Sequence, residues 1–362
     1  MDDLVTDYIS AEIVNGLTGG NAGAVRVRHL LAHTSGIGDY VNIEPHDVFE
    51  VYNLSRHVVY TPEQLYNYTM QYSAPAFTLG SLGLTSYDDV TASAYSNTGY
   101  VMLGEIIASA AGMDWEDYVE QQILVPTGMT RSGFVGRGSP TVDGHASGKL
   151  PGPILMPGSL TDSAGNMYST PRDLAVFLRS WLNGELFADR QTLYTMLKGQ
   201  PGALLFGEEP YGYGVQNLTK DAGVLVGHSG QSFGFQCQLF YHVETDTVYA
   251  VVINDSMQDI SQITGDLIDA VKTQGWPEPA ASTPTCGEIK EAYKTSSCCG
   301  NPSAPFHFPP EARRLSGAAS LEAETGLLGR INAALEQARK TGGKPAVAKL
   351  AKLIGGSIHE YL

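Results

Sequence analysis

The sequence predicts an α+β fold in which a helical subdomain accompanies an antiparallel sheet. Amphipathic helical patterns, separated by capping and turn residues, are spread over the first 182 residues. Three β-rich segments then follow one another with only short turns between them, which is typical of antiparallel strands. A last amphipathic segment, roughly 257–274, indicates a helix that closes the arrangement.

Two adjacent helical patterns predict a helical hairpin. Residues 98–112 place apolar side chains on one face, and Gly112 provides a helix terminator. Residues 114–124 form the second pattern, with Asp114 as the expected N-cap and Pro126 as the expected end. We therefore expect two short helices packed side by side.

A further helix is predicted over 170–182. Thr170 offers an N-cap, Pro171 suits the first helical position, and Asp173 places a carboxylate three residues after the cap. Strands are predicted over 223–230, 233–243 and 247–255, with Glu244–Asp246 as the hairpin turn between the last two.

Composition divides the chain into three parts. Residues 1–275 form the main domain, the Pro/Ser/Thr-rich stretch 276–285 reads as a linker, and 286–362 form a small, partly helical extension that contains Cys286, Cys298 and Cys299. Within it, 344–354 is a short basic amphipathic helix. We expect this helix to pack on the body or belong to a semi-ordered tail; contact with an anionic membrane surface is the alternative.

Charge and composition exclude several kinds of partner. The net charge is −16, and the first 275 residues carry 12 Lys and Arg against 30 Asp and Glu. Such an acidic body does not suit nucleic acid, whose phosphates need neutralising. Asp143 and His145 lack a third ligand at a sensible spacing, so we predict neither a metal site nor a cofactor. The expected partner is a small-molecule or peptide substrate.

Two short motifs are candidates for chemistry. Tyr95-Ser96-Asn97 stands directly before the helix at 98–112, and His228-Ser229-Gly230 ends a predicted strand. Alone, each is weak, because such residues occur together by chance and a structural tyrosine is the default interpretation. Their context is more specific. Landmarks lie in order at 30–36 (LLAHTSG, the end of a short predicted helix closed by a Ser-Gly turn), 95–97, 125–129, 165–173 and 228–230.

With these landmarks, residues 1–275 resemble the penicillin-recognising serine hydrolases: class C β-lactamases, DD-peptidases, D-aminopeptidases and their esterase relatives. The resemblance implies a β-lactamase/transpeptidase-like fold and hydrolysis of amide or ester bonds, peptidase- or esterase-like, through an acyl-enzyme. β-Lactamases usually have lysine where this chain has His228, which favours the peptidase and esterase branches over β-lactam hydrolysis.

The resemblance also implies a role for each residue. Tyr95 would be the general base and acid, provided that nearby cations lower its pKa from about 10. Asn97 would hold a lysine or the substrate amide, and His228 would orient the tyrosine hydroxyl. On the strand, Ser229, Gly230 and Gln231 would bind substrate: Gly230 permits close approach, and the Gln231 N–H would be an oxyanion donor.

The nucleophile itself is missing, because no serine in the 362 residues has a lysine three positions later. The resemblance places that motif upstream of Met1, so we expect an N-terminally incomplete fold whose sheet is a three-stranded remnant, and no turnover by this chain alone. The alternative is a non-catalytic pseudoenzyme or ligand-binding module. Ser232 lies in a literal G-x-S-x-G, but a strand follows where a nucleophile elbow needs a helix, so we reject an α/β-hydrolase. Ser35 is expected to be a turn residue.

Overall fold

The computed structural model describes residues 1–41, 59–148, 150–200, 204–205, 209–220 and 223–274. The predicted linker and the Cys-containing extension, with its basic helix, lie outside these residues. Among the described residues, none of the helices combines the length and apolar composition that a membrane span requires.

The helices are α1 (Ala11–Thr18), α2 (Val27–Leu31), α3 (Pro62–Tyr72), α4 (Leu79–Leu82), α5 (Asn97–Ala111), α6 (Trp115–Val119), α7 (Val125–Thr127), α8 (Gly158–Thr161), α9 (Pro171–Leu182), α10 (Gln191–Lys198) and α11 (Ile260–Gln274), with single 3-10 turns at Val5–Asp7, Tyr87–Asp89 and Asp162–Ala164.

The main sheet is antiparallel, with strand order β10-β9-β8-β7. The expected three strands are present, but β7 adds a fourth, so the prediction of a three-stranded remnant was wrong. The polar sequence of β7 gave no strand signal, and pairing with β8 from Gln216 opposite Gly227 to Lys220 opposite Gly223 makes it a strand. The main-sheet strands are β7 (Gln216–Lys220), β8 (Gly223–Ser232), β9 (Phe235–His242) and β10 (Thr247–Ile253). The short strands, which pair as β1 with β4, β2 with β3 and β5 with β6, are β1 (Gly133–Phe134), β2 (Gly144–Ala146), β3 (Leu150–Ile154), β4 (Met167–Tyr168), β5 (Leu204–Leu205) and β6 (Glu209–Pro210).

Helices cover both faces of the main sheet. Strand alternation sends Val224 and Val226 to the face that packs on α9 and α10, and sends Leu225 to the face that packs on α11. Tyr241 and Phe240 alternate in the same way on β9, and both are almost fully buried. Burial of each side chain of this size stabilises the folded state by about 1.5–3 kcal/mol, so packing on both faces holds β8 in the sheet.

The helical subdomain contains the predicted hairpin, with one correction. Helix α5 ends at Gly112 in the left-handed conformation, and the Asp114 carboxylate caps α6 through the Glu116 N–H, as expected. The helical path does not stop at Pro126. It continues through a π turn at Glu120–Leu124 into α7 and ends at Gly128. A π turn shifts the hydrogen-bond pattern next to a residue that lacks an N–H, so the proline is tolerated there.

Helix α9 begins as predicted, because the Thr170 hydroxyl accepts a hydrogen bond from the Asp173 N–H. The Asp173 carboxylate forms hydrogen bonds outside the helix. It accepts hydrogen bonds from the Arg131 N–H at 2.8 Å and from the Ser132 hydroxyl at 2.9 Å, so it ties the segment after Met129 to α9. The sequence separation of about 40 residues explains why the capping pattern alone did not indicate this contact.

Candidate active site

His228 lies within β8 rather than at its end, and it is half-buried. Its Nδ1–H donates to the Ser229 carbonyl oxygen at 2.6 Å, and its Nε2 accepts from the Tyr211 hydroxyl at 2.9 Å. These two bonds fix the neutral tautomer that carries its proton on Nδ1. The Tyr211 segment reaches the helical subdomain, since the Tyr211 and Tyr100 hydroxyl oxygens are 3.4 Å apart and the Tyr100 hydroxyl donates to the Leu31 carbonyl oxygen.

His33 packs against three aromatic side chains, one of which, Tyr211, also contacts His228. Its ring centroid lies 4.3 Å from that of Tyr95, 5.0 Å from that of Tyr100 and 5.1 Å from that of Tyr211. Tyr95 therefore contacts His33 on one side, and Tyr211 links His33 to His228 on the other. The structure brings the two predicted residues, Tyr95 and His228, to the border of one cluster.

Asn97, the third predicted catalytic residue, is held by Asp39. The Asn97 Nδ2 donates to both Asp39 carboxylate oxygens, at 3.1 and 3.2 Å, and its backbone N–H donates to Oδ1 at 3.1 Å. Asp39 is 9% exposed, so these charge-assisted bonds are shielded from water. These bonds orient the amide group so that its nitrogen faces Asp39. The side-chain oxygen of Asn97 is then the atom that can accept a hydrogen bond from an ammonium or an amide N–H.

The predicted substrate-binding residues lie on an edge of the sheet. Along β8, the pairing with β9 turns the N–H groups of Ser229 and Gln231 away from β9. Strand β7 pairs only as far as Gly227, and beyond that point the Gln216 side chain accepts from the Ser229 N–H at 3.0 Å. The Gln231 N–H follows on the same edge beside the exposed Gly230.

Burial controls the protonation states in the cluster. It lowers the pKa of His33 to about 3, with the nearby His228 as a lesser cause, and it also lowers the pKa of His228. Burial raises the pKa of Tyr95, and the charge of Asp39 raises it further. Both imidazoles are therefore neutral at pH 7, and Tyr95 keeps its proton. To act as a base, Tyr95 would need a nearby cation that lowers its pKa.

Two serines behave as predicted. Ser232 pairs with Phe235 at the end of the β8–β9 hairpin, where Gly234 has a φ of 88°, so no helix follows it. That geometry excludes a nucleophile elbow. Ser35 is buried, and its hydroxyl accepts from the Ile37 N–H at 3.4 Å within the turn.

The structure adds four residues that the sequence interpretation did not assign to the site: His33, Asp39, Tyr211 and Gln216. His33 lay inside the LLAHTSG landmark and had no role assigned. Asp39 and Asn97 are 58 residues apart in sequence, and Tyr211 and His228 are 17 apart. Contacts over such separations leave no local pattern, so only the fold reveals them.

The antiparallel sheet with its helical subdomain, and the tyrosine and histidine motifs at their junction, define a protein of the β-lactamase/transpeptidase-like class. The chain belongs to the Beta-lactamase family, whose family model matches residues 1–262. This confirms the resemblance inferred from the five landmarks.

Two curated proteins are similar to parts of the chain. A penicillin-binding protein of Bacillus subtilis (strain 168) is 25% identical over 241 residues, which cover 61% of this chain and 49% of that protein. Beta-lactamase-like protein 2 of Dictyostelium discoideum is 38% identical over 100 residues, which cover 25% of this chain and 17% of that protein. The chain thus spans half or less of the length of these relatives.

Solved structures show the same fold. A D-stereospecific amidohydrolase from Streptomyces sp. matches with a TM-score of 0.60 and 25% identity, over 76% of this chain and 79% of that one. A D-amino acid amidase from Ochrobactrum anthropi SV3 matches with a TM-score of 0.58 and 22% identity, over 74% and 78% of the two chains.

Proposed function

We propose that this chain carries the acid–base half and the substrate-binding strand of a serine hydrolase that cleaves amide or ester bonds through an acyl-enzyme. The main observation behind this proposal is that Tyr95 packs against His33, and that Tyr211 connects His33 to His228. Family membership and the similarity to a D-stereospecific amidohydrolase support amides of D-amino acids as the first substrates to test.

The chemistry follows from where protons and charges would be needed. A serine hydroxyl must lose its proton to attack a carbonyl carbon, and the oxygen of Tyr95 is the proposed acceptor. The same tyrosine would then return the proton to the leaving amine. The Gln231 N–H would donate to the developing oxyanion at the strand edge, and Asn97 would accept from the substrate amide or a lysine ammonium.

The proposed nucleophile comes from outside these 362 residues, since no Ser-x-x-Lys occurs within them. A lysine from such a motif would also supply a cation that lowers the pKa of Tyr95, which burial and Asp39 raise here. This is the reason to expect no turnover by the chain alone.

The test has two arms. First, residues 1–362 are incubated with a fluorophosphonate or a fluorescent penicillin and weighed by intact mass spectrometry; we expect no adduct. Ser232→Ala is the matched control, and an adduct that this substitution abolishes would overturn the proposal. Second, the coding sequence upstream of the Met1 codon is read, and any in-frame Ser-x-x-Lys segment is restored. The extended protein should hydrolyse D-phenylalanine amide, and Tyr95→Phe should lower kcat at least about a hundredfold.

A second candidate is a non-catalytic ligand-binding module of the same fold. The raised pKa of Tyr95 favours it, since a protonated phenol is a hydrogen-bond donor suited to binding rather than a base. An upstream sequence without Ser-x-x-Lys, together with binding of D-phenylalanine amide that is weakened by Tyr95→Phe, would support the module and reject the hydrolase.

A further inference from the structure

The backbone of the tyrosine motif is fastened on both sides by one residue. The His33 carbonyl oxygen accepts from the Ala94 N–H at 2.9 Å, and the His33 Nδ1 accepts from the Ser96 N–H at 3.1 Å. Tyr95 lies between these two anchors, and its ring packs against the imidazole of His33. The main chain before and after Tyr95 is thus fixed to a single residue.

His33 makes these contacts in an unfavourable backbone conformation and with an unsatisfied ring nitrogen. Its φ is 57°, in the left-handed region that residues other than Gly adopt uncommonly, although Asn, Asp and His do so more often than the rest. Its side chain is 1% exposed, and among the described residues its Nε2 has no hydrogen-bond partner. Because Nδ1 accepts from a backbone N–H, the proton is on Nε2. A strained backbone and an unsatisfied buried donor persist only where the rest of the structure holds them.

We infer that His33 is the positioning residue for Tyr95: it sets the place of the phenol through the Ala94 and Ser96 backbone bonds and through ring packing. The inference rests on the proposed function for its catalytic meaning, whereas its structural content is independent of that function. The neutral imidazole acts here as a fixed acceptor and a flat packing surface. The imidazole stays uncharged near neutral pH, because burial lowers its pKa to about 3.

Two substitutions at this position separate the acceptor from the backbone strain. His33→Asn keeps an acceptor near the place of Nδ1 and suits a positive φ. His33→Gly suits the φ but removes the acceptor and the ring. Comparing the two therefore reports on the hydrogen bond to Ser96 rather than on the strain. His29→Asn is the matched control, because His29 is also 1% exposed and its Nδ1 also accepts a backbone N–H, that of Arg26, at 3.0 Å.

The first readout is amide hydrogen exchange of Ser96, expressed relative to the buried Val101 amide in α5 so that a general loss of stability cancels. We expect His33→Gly to speed the relative exchange by at least about tenfold, His33→Asn to stay within about threefold of the wild type, and His29→Asn to leave the ratio unchanged. Equal ratios in the wild type and His33→Gly would overturn the inference.

The second readout is the dissociation constant for D-phenylalanine amide, measured by NMR titration of the full chain. His33→Gly should weaken binding by about tenfold, and His33→Asn should restore most of it. If Tyr95→Phe leaves wild-type binding unchanged, the proposed function fails, yet the exchange ratios still decide the positioning role. If Tyr95→Phe weakens binding while His33→Gly does not, the positioning role fails and the proposed function stands.

Discussion

The hydrogen bond between Tyr211 and His228 yields the sharpest stability prediction. Tyr211 is 3% exposed, and its hydroxyl donates to the His228 Nε2 at 2.9 Å. The other ring nitrogen is already bonded to the Ser229 carbonyl oxygen. Tyr211→Phe therefore leaves a partly buried acceptor without its donor, which costs about 1–3 kcal/mol of unfolding free energy. With an m-value of about 3 kcal/mol per M, the urea midpoint should fall by about 0.3–1 M.

Tyr249→Phe is the matched control for this measurement. Tyr249 is 6% exposed, and its hydroxyl has no hydrogen-bond partner among the described residues. Removing that hydroxyl should change the unfolding free energy by less than about 0.5 kcal/mol or raise it, since an unsatisfied buried group is lost. Urea titrations followed by circular dichroism compare the two variants directly.

The same substitution has a spectroscopic consequence at His228. Burial lowers the pKa of His228. A hydroxyl that donates to Nε2 favours the neutral ring, so loss of the Tyr211 hydroxyl should move this pKa upward, towards the ordinary histidine value. Histidine NMR titration of the wild type and Tyr211→Phe measures this shift. Equal urea midpoints for Tyr211→Phe and Tyr249→Phe, with an unchanged His228 titration, would refute the reasoning.

Three other perturbations have defined outcomes. The folded pKa of His33 is about 3, below its unfolded value of about 6.5, so between these values only the unfolded chain binds the proton and stability decreases as the pH is lowered. His33→Asn should remove up to about 1.4 kcal/mol per pH unit of that slope, measured by urea unfolding at pH 4 to 6. Gly36 has a φ of 70°, and a Cβ there would overlap the Phe77 carbonyl oxygen, so Gly36→Ala should cost at least about 3 kcal/mol in the same assay. Asp39→Asn removes the charge that raises the pKa of Tyr95, and the pKa should fall in a titration of labelled tyrosine carbons.

Local signals explain how much of the fold was predictable. Helices α5 and α9 were found because each combines periodicity with a capping residue, and β8 to β10 were found because apolar residues alternate between short turns. Strand β7 was not predicted, because its side chains are mostly polar and only pairing with β8 defines it. At Pro126 the rule that proline ends a helix failed, since the π turn before it accommodates the missing N–H.

The candidate site divides in the same way. Tyr95 and His228 were identifiable because they belong to short motifs in a specific order. The partners that set their environment, Asp39 and Tyr211, come from segments without a motif and are joined to the site by folding alone. His33 had a visible landmark, but its role depends on a positive φ and on bonds to Ala94 and Ser96, which the sequence does not encode locally.

The account depends on Tyr95 and His228 lying close enough for a charge at one to shift the pKa of the other, so the most direct measurement is the pKa of Tyr95 in a His228→Arg variant. Arginine stays charged throughout the titration of a phenol, and a cation near the phenol favours the phenolate. Gln262→Arg, on the exposed surface of α11, adds the same charge elsewhere as a control. The account predicts that the Tyr95 carbon titration moves to lower pH in His228→Arg and not in the control; an identical titration in both variants would contradict it.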